Sequence, residues 1–260
     1  MNIPQSIREL LGIAQSAARE VMAVYASNFA VSAKTDLSPV TEADARAEKV
    51  ILSGLATAFP GIPVLAEEQA SSGTLPALGE RFFLVDPLDG TKEFISRNGE
   101  FTINIALCEK GEVTEGVVYA PAIEKIYWGK RGLGAASATL PVAQSLSLAT
   151  WHKASVRQRP ADCVTVVASR SHMDKDTETY LEAIPAKTLV SAGSSLKFCL
   201  VASGLADIYP RFGRTMEWDT AAGQAVLEAA GGRVETREGK PLTYGKVSRG
   251  YDNPAFIASA

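Results

Sequence analysis

Two carboxylates three residues apart, at the end of an apolar run, leave a chain few ways to fold. Here the run Phe83-Leu84-Val85 is followed at once by Asp86-Pro87-Leu88-Asp89-Gly90-Thr91-Lys92-Glu93. The Phe, Leu and Val read as a buried strand. Pro87 fixes φ, and Gly90 permits a turn that other residues resist. The chain therefore leaves a core strand and presents Asp86, Asp89 and the Leu88 carbonyl toward one point. Hard oxygen donors of this kind suit Mg²⁺, which binds through few carboxylates and shares its shell with waters and phosphates. An ordinary polar Asp-Gly turn explains the same residues without a metal, and the segment alone does not choose between the two.

The 260 residues suffice for one large domain or two smaller ones, and 46% hydrophobic residues can build a substantial core. A net charge of −3 with no run of Lys and Arg argues against a nucleic-acid polymer as partner. Cys108, Cys163 and Cys199 stand far apart in apolar contexts. They read as core residues of a reduced protein rather than as disulfides or thiolate metal ligands. Two histidines are too few for a multi-histidine zinc site. The start, MNIPQSIREL, lacks the pattern of a secretory leader, and no apolar run approaches a bilayer span of about 20 residues. A cytoplasmic protein is expected. A peripheral contact with the inner membrane face and a homodimer are both compatible with the sequence.

Apolar spacing predicts helices over 4–28 and 41–58, then a short strand over 63–66 ending in Glu67-Glu68. A surface loop over 71–79 precedes the strand into Asp86. Strands follow over 101–109, 113–120 and 124–129, the first two joined at Lys110-Gly111. An Ala-, Ser- and Gln-rich stretch over 140–162 suggests a boundary, giving an α+β part over 1–150 and an α/β part over 151–260. In the second part strands (163–169, 187–191, 205–210) alternate with helices (174–184, 194–204, 217–230), as in a layered α/β unit.

Glu67, Asp86, Asp89 and Asp219 all fall at element ends. If they converge, each pair of charges about 4 Å apart costs on the order of 4 kcal/mol, and a bound cation would offset it. Taken singly, Asp219 fits a favourable acid in a first helical turn. Asp44, in Thr41-Glu42-Ala43-Asp44, fits a capping box. Thr91 fits the start of a short helix, or could orient a water if a carboxylate such as Asp44 held its hydroxyl. Ser169-Arg170-Ser171-His172 leaves a strand end, a common ligand position in α/β units. Gly193-Ser194-Ser195-Leu196-Lys197 opens a helix, where free N–H groups favour an anion. On local grounds a capped helix with a solvated Lys197 accounts for it slightly better. Arg211 could bind phosphate or nothing.

Together Glu67-Glu68, Asp86-Pro87-Leu88-Asp89-Gly90-Thr91 and Trp218-Asp219-Thr220-Ala221-Ala222-Gly223 resemble the lithium-sensitive, magnesium-dependent phosphatase superfamily of inositol monophosphatase and fructose-1,6-bisphosphatase. Within it the chain resembles the CysQ-type 3′(2′),5′-bisphosphate nucleotidases. Ser38-Pro39-Val40-Thr41-Glu42-Ala43-Asp44, Lys92-Glu93-Phe94 (where inositol phosphatases usually have Thr-Asn-Phe), Ser169-Arg170-Ser171-His172 and Gly193-Ser194-Ser195-Leu196-Lys197 carry that closer likeness.

The resemblance implies a layered αβαβα sandwich with the site between its two parts. It places two or three Mg²⁺ ions on Glu67, Asp86, the Leu88 carbonyl, Asp89 and Asp219. It makes Asp44 and Thr91 the pair that activates the attacking water, and gives the scissile phosphate to the Gly90 and Thr91 N–H groups. His172, Gly193, Ser194, Lys197 and Arg211 would contact the nucleotide and its second phosphate. The implied reaction converts adenosine 3′,5′-bisphosphate to AMP and phosphate, recycling the by-product of sulfate activation, with 3′-phosphoadenylyl sulfate as a further substrate. Two other readings stay open: an inositol or sugar monophosphatase of the same superfamily, and a catalytically silent nucleotide-binding protein.

Overall fold

A computed structural model describes residues 2–33, 39–169, 174–184 and 186–260. The chain begins with α1 (Gln5–Tyr25), the short strands β1 (Val31–Ala33) and β2 (Pro39–Thr41), and α2 (Glu42–Ala58). There follow β3 (Val64–Ala66), α3 (Glu67–Ser71), β4 (Arg81–Asp89), α4 (Thr91–Ile95), β5 (Thr102–Glu109), β6 (Glu112–Ala120), β7 (Lys125–Lys130), β8 (Gly134–Thr139) and β9 (His152–Ala154). The rest comprises β10 (Val164–Ala168), α5 (Lys175–Glu182), β11 (Lys187–Ser191), α6 (Leu196–Ala202), β12 (Ile208–Arg211), α7 (Glu217–Ala229), β13 (Arg233–Thr236) and β14 (Phe256–Ser259).

Strands β3 to β9 form a seven-stranded sheet in chain order, antiparallel except for the parallel β3–β4 pair. The second sheet has the order β11-β10-β12-β14-β13. In β4 successive side chains alternate between two cores. Phe83 and Val85 join α1 and α2 on one face, while Phe82 and Leu84 join α6 and α7 on the other. A strand covered on both faces must be apolar throughout, which is why no alternation was visible in its sequence. Across the second sheet, Leu181 of α5 packs on Val164, Val166 and Ile208. The layers are thus helix, sheet, helix, sheet, helix.

The middle layer needs glycine beneath it. Gly116 of β6 pairs with Gly129 of β7. A Cβ at Gly116 would lie 2.7 Å from the Ala222 carbonyl oxygen, and one at Gly129 would lie 2.6 Å from both the Ala225 oxygen and the Val226 Cα. The two glycines form a flat seat on which the backbone of α7 rests directly.

One expectation, that of Cys163 as a core residue, needs correction, and the sheets add detail that the sequence left open. The strand β9 belongs to the first sheet, so that sheet continues past position 150. The second sheet is mixed, since β14 runs antiparallel to both neighbours. Cys163 is exposed, at the mouth of β10, while Cys108 and Cys199 are buried. No helix among the described residues is long and apolar enough to cross a membrane.

Candidate active site

Strand β4 delivers the first carboxylates. Pro87 has no N–H to donate, and the ladder to β5 shifts register between Asp86 and Asp89, where a proline inside a sheet is tolerated. The buried Asp86 accepts the Leu88 N–H on Oδ1 at 3.0 Å. Gly90 then takes a φ of 91°, in the left-handed region, and Thr91 opens α4. Strand β3 runs parallel to β4 with Ala66 opposite Val85, so Glu67 begins α3 beside this turn. From the middle layer comes Asp219, near the start of α7, whose Oδ2 accepts the Met216 N–H at 2.8 Å. Glu67, Asp86 and Asp219 each offer an oxygen within 4.8 Å of the other two.

This convergence is electrostatically strained. Burial, then the like charges of Glu67, Asp89 and Asp219, hold the Asp86 carboxyl well above its ordinary range. Asp219 is raised likewise, by burial and then by Asp89 and Glu67. Burial lifts Asp89 to about 6, against the attraction of Lys197. Donors that are all hard anionic oxygens, crowded and desolvated, fit a hard divalent cation. In metal-free protein the native state therefore binds protons that the unfolded chain releases at the ordinary value of 3.8. Stability must then fall as pH rises from that value through about 6. Melting temperatures in EDTA are expected to drop between about pH 4 and about pH 6, and the gain on adding Mg²⁺ to widen over the same interval. A metal-free profile that rises with pH would refute this electrostatic picture.

A cavity of about 350 Å³ opens beside the cluster. Glu67, Asp89, Gly90, Thr91 and Asp219 line it together with Ser194, Lys197, Tyr209 and Arg211. Asp44, Asp86, Leu88 and Gly193 are not among the described residues on its wall. Lys197, which a simple capped helix would leave solvated, is only 5% exposed. Its Nζ donates to the Ser194 carbonyl at 2.7 Å and lies 5.3 Å from the Tyr209 ring centroid. Burial draws its pKa down to about 8. Arg211 donates from Nη2 to the Arg214 carbonyl at 3.2 Å. His172 lies outside the described residues, as do residues 34–38 of the segment before Asp44.

The Gly193–Lys197 turn differs from the anion cradle expected of it. The Gly193 N–H goes to Glu100 Oε2 at 3.0 Å, and the Ser195 N–H to Asp89 Oδ2 at 2.8 Å. Those donors hold carboxylates of the protein itself. Gly193 is glycine for room, since a Cβ there would sit 2.4 Å from the Glu100 carbonyl oxygen. Asp44 forms the capping box its sequence suggested, accepting the Thr41 N–H at 2.8 Å and hydroxyl at 2.9 Å on Oδ2. The Thr91 hydroxyl donates weakly to the Leu88 carbonyl, at 3.5 Å. The short helix α4, which begins at Thr91, packs on β2, the strand that leads into the helix carrying Asp44.

Other supporting residues went unread. The buried Glu48 accepts the N–H groups of Glu68 and Gln69 at 2.8 and 3.1 Å, fixing the start of α3. It stands one helical turn from Asp44, a spacing that could have found it. Asn104, a lone amide in the apolar run of β5, donates to Ser195 Oγ at 3.1 Å and to Asp89 Oδ2 at 3.4 Å. Ser195 Oγ in turn donates to the Asp219 carbonyl at 2.9 Å, tying the two carboxylate-bearing halves together.

The inositol monophosphatase family model matches residues 4–258. The chain belongs to the inositol monophosphatase family. Among members of this family, the protein named 3′(2′),5′-bisphosphate nucleotidase CysQ from Salmonella typhimurium is 43% identical over 252 residues, covering 96% of this chain and 98% of that one. Its namesake in Escherichia coli K12 is 44% identical, over 95% of this chain and 96% of that one. The solved CysQ of Bacteroides thetaiotaomicron, described as a bacterial member of the family, is 35% identical and superposes with a TM-score of 0.83. The match covers 100% of this chain and 99% of that one. Enzymes of the family depend on metal, and the acidic cluster found here is of a kind that could hold it.

Proposed function

We propose that the protein is a cytoplasmic phosphomonoesterase that hydrolyses the 3′-phosphate of adenosine 3′,5′-bisphosphate. The observation that carries this reading is the pairing, in one cavity, of partly buried carboxylates of the acidic cluster, Glu67 and Asp219, with the buried Lys197 and with Arg211. The near-full-length likeness to proteins named bisphosphate nucleotidases supports the substrate class. Glu67, Asp86, the Leu88 carbonyl, Asp89 and Asp219 are the residues proposed to hold Mg²⁺. Bound there, Mg²⁺ would lower the pKa of a water, neutralise phosphate oxygens and stabilise the departing alkoxide.

The remaining work falls to the chain. Thr91 and Asp44 take the proton of the attacking water, general-base help worth about 10²–10⁴-fold. The Gly90 and Thr91 N–H groups orient the scissile phosphate at the start of α4. The water oxygen attacks phosphorus in line, the bond from phosphorus to the ribose 3′-oxygen breaks, and that oxygen acquires a proton to give AMP and inorganic phosphate. Ser194, Lys197 and Arg211 supply the polar and cationic wall for the nucleotide and its 5′-phosphate, with His172 proposed beside them. Gly193 keeps only the spacing role described above. The same site could take 3′-phosphoadenylyl sulfate, which presents the same 3′-phosphate.

Phosphate release from adenosine 3′,5′-bisphosphate and from myo-inositol 1-phosphate, with Mg²⁺, EDTA and added Li⁺, tests the reading. Strong Mg²⁺-dependent, Li⁺-sensitive preference for the nucleotide is expected. Lys197→Ala is expected to weaken turnover of the bisphosphate while sparing the small monophosphate. Preference for the inositol ester would reassign the substrate, and silence toward both would favour a binding protein.

A further inference from the structure

Residues 251–253 run alongside the loop that precedes α7. The Glu217 N–H donates to the Tyr251 carbonyl at 2.9 Å, and the Asn253 N–H to the Thr215 carbonyl at 2.9 Å. The Thr215 carbonyl shares its peptide group with the Met216 N–H, and that N–H donates to Asp219 Oδ2. One side of a single peptide is thus held by the backbone of residue 253 while the other holds the carboxylate. The Asn253 side chain grips the next carbonyl as well, with Nδ2 2.7 Å from Met216 O. That same carbonyl receives the Asp219 N–H at 3.2 Å. Nδ2 also reaches Thr215 Oγ1 and Thr220 Oγ1 at 3.2 and 3.1 Å, two side chains of the cavity wall.

Asn253 is 5% exposed and is not among the described residues lining the cavity. Its Oδ1 is buried without a partner among the described residues. An apolar side chain would avoid that cost, so packing alone gives no reason for an amide here. Its donor group does. We propose that Asn253 is a positioning residue for Asp219: its Nδ2 holds the Met216 carbonyl and the Thr215 and Thr220 hydroxyls around the Met216 N–H, and through them sets the orientation and metal affinity of the Asp219 carboxylate. The inference rests on Asp219 holding metal, as proposed above.

Groups that orient a ligand from outside the coordination sphere typically change metal affinity by about 10–100-fold when removed. Asn253→Ala is therefore expected to raise the half-saturating Mg²⁺ concentration by at least about 10-fold, read both from phosphate release and from the Mg²⁺-dependent rise in melting temperature. The kcat at saturating Mg²⁺ should change far less. Asn253→Ser, which keeps a short donor, should fall between, and carries the test if the Ala variant does not fold. An unchanged Mg²⁺ requirement in either folded variant, with only a lower metal-free melting temperature, would reduce Asn253 to packing and overturn the proposal. Asp219→Asn separates the two readings: if it still shows the full Mg²⁺-dependent melting shift, the metal site itself is wrongly assigned.

Discussion

Asp86→Asn is expected to abolish Mg²⁺-dependent phosphate release while leaving the fold intact. The exchange keeps the size of the side chain and an oxygen able to accept the Leu88 N–H, so the turn after β4 should survive. What disappears is one of the three negative charges gathered within 4.8 Å. Changes merely adjacent to metal ligands cost about 10–100-fold, and loss of a ligand charge should exceed that, on the order of 10³-fold or more. Stability should move the other way. Without metal, the parent protein bears unrelieved repulsion among buried carboxylates, and the variant is relieved of part of it. Metal-free Asp86→Asn should melt no lower than the metal-free parent, yet gain little from Mg²⁺. Full activity in metal-limited buffer would remove Asp86 from the site.

The second large effect is mechanical. Gly129→Val is expected to destabilise the protein by about 3 kcal/mol, toward the upper end for overpacking. The added atoms meet the backbone of α7 at Ala225 and Val226, where no rotamer change can make room. The helix must lift from the sheet, and Asp219 with it, so the Mg²⁺ requirement should rise in parallel with the loss of stability. Gly12→Ala provides the contrast. It lies inside α1 with nothing within 4 Å of an added Cβ, so alanine should stabilise by up to about 1 kcal/mol. Denaturant melts of the two variants check both signs, and a neutral Gly129→Val would mean that the middle layer tolerates displacement.

The strand into Asp86 was legible because a run buried on both faces cannot hide its composition, and because Pro87 marks where its ladder breaks and Gly90 where it ends. Asp44 and Asp219 were harder. Each has a local explanation as a helix-start acid, and the structure bears that explanation out: both accept backbone N–H groups on Oδ2. A carboxylate has two oxygens, however, and capping with one leaves Asp219 another for the cluster. Spacing therefore could not separate the cap from the role proposed for each. Lys197 was ambiguous for a different reason. Whether a helix-borne lysine meets solvent depends on what packs over it, and α6 lies between two sheets assembled from distant segments. The strand β8, Gly-Ala-Ala-Ser-Ala-Thr, carries almost no β-branched residues, and β9 spans only His152–Ala154. Their pairing partners, rather than their own propensities, make them strands.

The carboxylates also differ in when they meet. Asp86 and Glu67 are joined by the neighbouring strands β3 and β4, whereas Asp219 arrives only when α7 docks on its glycine seat. Contacts of high sequence separation tend to form late in folding. The repulsion, and any cation that offsets it, then belongs to the far side of the folding barrier. Mg²⁺ should accordingly leave the refolding rate nearly unchanged and slow unfolding, so that the metal acts as a kinetic latch on an already assembled chain.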